Sequence, residues 1–346
     1  MLRRAISTWM PRRGLILVVC ALALAVPLVG LAARAATRST DAPFSAAVPS
    51  RPVHFGDTRI TLYYDPANFK ISERDIDEWV LRSARATASF FGRFPAKDVA
   101  IALQPGRGRD IMEGEATYDP KPRIRLVLGR EMTRERLKRD STLVHEMAHL
   151  GFPDMDDAHL WLHEGLATYV EYVARAQARE IKPAEMWARL ALIAQQGLPA
   201  ENERQGLERT RDEDRRYYGG ALFWLVADVE IRKRTGNGRG VQDAIRAIFN
   251  AGGTLAIDTT PEEVMKQGDR AVGVPVLSEL FPTWRKTAVS PDLDSLWQSL
   301  GIEPNGSRTR LVNSAPLADV RRAITAQPER PILLKSPALL YEAKMR

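Results

Sequence analysis

The chain has 346 residues and a formal net charge of +7, but five arginines in the first 36 residues supply most of it, leaving +2 for the remainder. With no basic stripe interleaved with aromatics in that remainder, a nucleic-acid partner is excluded. The single cysteine, Cys20, excludes an intramolecular disulfide framework, so stability must come from a core, for which the length suffices in one large domain or two packed ones.

Arg3, Arg4, Arg12 and Arg13 precede an uncharged run from Gly14 to Ala33, the pattern of an export signal. The run is long enough to cross a bilayer, while Ala33-Arg34-Ala35 offers a cleavage site. Residues 1–36 therefore read as a cleaved signal peptide or as a retained transmembrane anchor at residues 14–33. In both cases the basic flank stays inside and the rest is expected on the extracytoplasmic side, in the periplasm or at the cell surface. Residues 37–52 are polar and proline-bearing, a linker.

A folded domain is expected over 53–304, with a sheet part at 53–130 and a helical part at 131–304. Thr58 to Tyr64 alternates and is rich in β-branched side chains, Lys70 to Phe91 has helical period, and Val99 to Leu103 and Ile124 to Leu128 read as strands, giving the order β-α-β-β. Met112-Glu113-Gly114-Glu115 reads as a solvated loop.

Next comes Ser141-Thr-Leu-Val-His145-Glu146-Met-Ala-His149-Leu150-Gly151. On a helix, residues four apart are separated by about 40° around the axis, so His145 and His149 point the same way and can share one ion. Glu146 lies on the flank of that face, where a carboxylate can reach water beside a metal and act as general base. The helix is expected to start at an Asp140 or Ser141 cap and to stop at Gly151 in the left-handed conformation. This donor chemistry points to Zn2+ and hydrolysis.

Tetrahedral catalytic zinc needs a third protein ligand. A His-Glu-x-x-His-x-x-Gly-x-x-His site would place glycine at 152 and histidine at 155, where Phe152 and Met155 stand. A turn over Gly151 to Ala158, with an aspartate cap, leads to a second helix from Leu160 to Ala178 that brings Glu164 level with the two imidazoles. Glu164 is the chosen third ligand, with His159 and His163 as competitors; four of the five histidines lie between 145 and 163.

These residues resemble the gluzincin metallopeptidases, in which a later glutamate sits within Trp-Leu-x-Glu-Gly-Leu-Ala-x-Tyr, here Trp161 to Tyr169. Tyr217-Tyr218-Gly219-Gly220 and the helix after it are similar to a segment of glycyl aminopeptidase-like proteins, with Gly219 in place of a lysine. The resemblance implies an α+β, zincin-like fold: a small mixed sheet over a two-helix zinc site, then a mostly helical C-terminal lobe. It also implies an oxyanion-stabilising phenol at Tyr217, or at Tyr218 beside it, and substrate pairing on an edge strand at Ile124 to Leu128. Met112 to Glu115 then occupies the place where aminopeptidases hold the free amine of a substrate.

Further helices are expected at Pro183 to Gln196, Tyr217 to Arg234, Val241 to Phe249, Pro261 to Lys266, Pro282 to Lys286 and Asp292 to Leu300. Glu201 to Arg216 reads as a solvated helix face, Trp284 and Trp297 as core residues, and the tail 305–346 gives no readable role. The expectation is a zinc metallopeptidase acting on extracytoplasmic peptides or proteins. The alternative is a non-catalytic, metal-binding envelope or chaperone-like protein on the same fold.

Overall fold

Alternation of apolar side chains builds a five-stranded mixed sheet in the computed structural model, which describes residues 42–305 and 309–327. β1 (Ser50–Phe55) and β2 (Thr58–Tyr63) form an antiparallel hairpin turning at Gly56, whose φ of 57° suits a residue without Cβ. α1 (Glu73–Phe91) begins at Ser72, whose hydroxyl accepts the Asp75 amide at 3.1 Å, and ends at Gly92 with φ 86°. β3 (Asp98–Gly106) runs parallel to β2. β4 (Ile111–Tyr118) and β5 (Pro122–Gly129) form a hairpin in which β5 pairs with β3, so the strand order is β1-β2-β3-β5-β4.

α2 (Arg134–Arg139) and α3 (Thr142–His149) follow, then α4 (Leu160–Gln177) and α5 (Pro183–Gln196). A π-helical turn at Arg215–Gly219 leads into α6 (Gly220–Arg234). α7 (Val241–Asn250), α8 (Pro261–Val272), α9 (Val276–Lys286) and α10 (Leu293–Leu300) complete the lobe, with the short pair β6 (Ile302–Glu303) and β7 (Arg310–Leu311) and α11 (Ala318–Ile324).

Two apolar clusters make three layers. Ile60, Leu62, Ile101, Ile124 and Leu126 of the sheet pack on Trp79 and Val80 of α1 and on Leu143 and Met147 of α3. Phe90 and Phe91 of α1 and Val144 and Ala148 of α3 face instead the helical lobe of α4 to α11, which also buries Trp284 and Trp297. Thus α1 and α3 are shared between the layers, and α3 has one flank under the sheet and another against α4.

Several expectations need correction. β1 begins inside the stretch that reads as linker, since Pro52 and Arg51 disguise it; both are tolerable because β1 is an edge strand. Met112 to Glu115 is a strand rather than a loop, and because β5 lies inside the sheet, the free edge belongs to β4 and not to Ile124–Leu128. Gly151 is absent from the left-handed residues; a Cβ there would overlap the Phe91 ring, so close packing is what requires glycine. Asp140 does cap α3, accepting the Thr142 amide at 3.1 Å, but Asp156 does not cap the next turn, since its carboxylate takes the His159 ring at 2.6 Å.

Glu201 to Arg216 is not a solvated helix face. Leu207 is buried, its amide donates to the Trp284 carbonyl at 2.9 Å, and Arg215 is buried in an ion pair with Glu203. In the tail, Val320 and Ile324 of α11 join the core. Residues 1–36 and 328–346 lie outside the described residues, among which no helix is long and apolar enough to cross a membrane.

Candidate metal centre

α3 and α4 pack together and bring His145, His149 and Glu164 to one point, with one donor atom from each within 4.8 Å of the others. His145 Nε2 lies 3.0 Å and His149 Nε2 3.4 Å from Glu164 Oε2. Among the described residues this is the one group of three or more such side chains close enough to hold an ion.

The residues fit zinc. Two imidazoles and a carboxylate are a catalytic zinc donor set, and ligand bonds of about 2.0–2.1 Å in a tetrahedron put neighbouring donors roughly 3.3 Å apart, close to the separations of Glu164 Oε2 from the two imidazoles. Charge agrees, because three carboxylates, the buried Glu146 and Glu171 and the partly buried Glu164, gather round His145 and His149. Burial opposes ionisation of Glu164, yet the charge and hydrogen bonds of His149 and His145 hold its carboxyl far below the ordinary range.

Glu171 carries no signal in the motif, but the structure places its Oε2 3.2 Å from His145 Nδ1. A carboxylate on the far nitrogen fixes the tautomer and orientation of a ligating imidazole. Its position seven residues after Glu164, on the same stripe of one helix, was the available clue.

Glu146 is buried beside the ligands, 6 % exposed, and burial raises its carboxyl, an effect the two imidazoles reduce. Over it runs β4: a Cβ on Gly114 would overlap Glu146 Oε1. Neighbouring Glu113 and Glu115 both pair with Arg125 of β5, at 3.1 and 3.2 Å.

Tyr217 lies on the π-helical turn and stacks on His145, ring centroids 6.1 Å apart at 16°. Tyr218 packs against the lobe core. The turn is held close because α4 and α6 meet at Gly165 and Gly220, where a Cβ on either would strike the backbone of the other helix.

Neither competitor joins the donor cluster. His159 is bonded to Asp156 and faces Glu208 at 3.5 Å. His163 stacks on His149; burial, then the charge of His149, pushes its imidazole down to about 3, so it is neutral.

The connector from α3 to α4 is stitched to the segment before α8. Asp154 donates its amide to the Ile257 carbonyl at 3.0 Å and accepts from the Thr259 amide at 3.4 Å, and the Leu255 amide reaches Leu150 at 3.5 Å.

No protein-family model matches the sequence, and no curated protein is similar to it. Solved structures do match. An aminopeptidase N family protein from Idiomarina loihiensis is 15 % identical with a TM-score of 0.57, over 74 % of this chain and 49 % of that one. An M1 zinc metallopeptidase from Deinococcus radiodurans is 20 % identical with a TM-score of 0.47, over 74 % and 53 %. The chain spans about half the length of these proteins. What the described residues share with the Idiomarina aminopeptidase N family protein is the fold, here an α+β arrangement of mixed sheet and helical lobe.

Proposed function

We propose that the protein is a zinc-dependent peptidase that hydrolyses extracytoplasmic peptides or proteins. The observation that carries this reading is the convergence of His145, His149 and Glu164 beside the buried carboxylate of Glu146. The fold supports it, and the export pattern of residues 1–36 supports the location and, if the segment is retained, attachment to a membrane.

His145, His149 and Glu164 would hold Zn2+, which supplies a Lewis acid able to polarise a carbonyl and to lower the pKa of water towards neutrality. Glu171 orients His145 from behind. Glu146 takes the proton of the attacking water and returns it to the departing amine, and its burial, which raises its proton affinity, suits both halves of that exchange. Tyr217 stands on the His145 side of the site and donates a hydrogen bond from its phenol to the oxygen that gains charge as the amide is attacked.

The test is elemental analysis of the purified protein together with digestion of a peptide library, which also separates aminopeptidase from endopeptidase cleavage. One zinc per chain and metal-dependent cleavage are expected. Glu146→Gln should keep the zinc and lose about 10²- to 10⁴-fold in kcat, the usual worth of a general base. Cleavage by Glu146→Gln at the parental rate would overturn the assignment.

A further inference from the structure

The two imidazoles of the centre are steadied differently. His145 has Glu171 on its far nitrogen, whereas the far nitrogen of His149, Nδ1, is buried and has no hydrogen-bond partner among the described residues. A ligating histidine without such a partner is free to rotate about its side-chain bonds unless packing stops it.

Packing does stop it. The His163 ring lies parallel to the His149 ring, centroids 4.4 Å apart and planes 4° from each other, while the edge contact from His145 closes another side at 4.8 Å and 81°. His163 is itself held against the Phe152 ring at 5.8 Å, and its Nε2 has no partner among the described residues. It is 8 % exposed, so the stack is dry. We infer that His163 is a positioning residue for the metal centre, setting the plane of His149 by face-to-face stacking where a hydrogen bond is missing. This rests on the zinc reading above. It assigns to His163 no contact with metal or substrate.

The inference separates ring shape from hydrogen bonding. His163→Phe keeps an aromatic face and discards both nitrogens; His163→Leu keeps apolar bulk and discards the face. Zinc affinity, read by competition with a chromophoric chelator, should stay within about 3-fold of the parent in His163→Phe and fall about 10-fold in His163→Leu, the lower range for losing an orienting contact behind a ligand. The visible absorption of the cobalt-substituted protein should be retained by the Phe variant and altered by the Leu variant. Parental affinity and spectrum in His163→Leu, or equal losses in both variants, would overturn the stacking role. Should His163→Leu not fold, His163→Phe decides alone: a 10-fold loss overturns the inference and retention sustains it. A parent protein that takes up neither zinc nor cobalt sinks the zinc reading itself, and the stack with it.

Discussion

His145 has a carboxylate near each ring nitrogen, Glu164 Oε2 3.0 Å from Nε2 and Glu171 Oε2 3.2 Å from Nδ1, and on the proposed zinc reading the second is the one that orients the ring. Glu171→Gln should lower zinc affinity by about 10- to 100-fold, as losses behind a ligand commonly do, in a chelator competition titration. Unchanged affinity would mean that the contact orients nothing. Tyr217 and Tyr218 are neighbours with different surroundings, one stacked on His145 and the other packed against the core. Tyr217→Phe should therefore cost about 10²- to 10³-fold in kcat with KM little altered, the scale of one lost oxyanion donor. Tyr218→Phe serves as the control, and a larger loss there would reverse the assignment. The residues of the motif were legible because helical spacing alone aligns His145 with His149. Gly114 was not, since nothing local marks a glycine as lying over a carboxylate, and the one mark of Glu171 was its seven-residue spacing from Glu164.

At the scale of elements, the two strands of the five-stranded sheet that escaped the sequence are both its edge strands, β1 with Pro52 and β4 with Gly114 and two glutamates. Proline, glycine and charge are what an edge tolerates and what strand patterns penalise, so the same physics that guards an edge hides it. Inner strands β2, β3 and β5 and the capped helix α1 were legible, because burial on one face imposes a period on their sequences. β4 also constrains the site. In Gly114→Ala the added methyl would displace the Glu146 carboxylate, and misplacement of a catalytic group by about 1 Å can cost roughly 100-fold. Steady-state kinetics should show that scale of loss in kcat with zinc content at the parental level; parental kcat would show that Glu146 yields without consequence.

For the whole molecule, the proposed ligands come from α3, which is shared by the sheet and the lobe, and from α4, which belongs to the lobe. On the proposed zinc reading, an ion bound between them would tie the layers together and bind only the folded chain. At free zinc about 1,000-fold above its Kd this linkage is worth roughly 4 kcal/mol. Differential scanning calorimetry should show the zinc-loaded protein melting several degrees above the chelator-treated one, with the difference vanishing in Glu164→Ala. A shared melting temperature would argue against a folded-state site. The division into sheet part and helical lobe was legible from periodicity, but the layering was not, because it depends on which of its flanks each helix buries.

The stitching of Asp154 to Ile257 and Thr259 gives the centre a dependence on sequence a hundred residues away. A hairpin of two ligand-bearing helices is as rigid as its bend, and here the bend borrows stiffness from a strip of backbone that touches no ligand. Residues 254–259 thus pin the bend between the two helices, and with a metal bound any slack in them would be felt as play between Glu164 and the paired histidines.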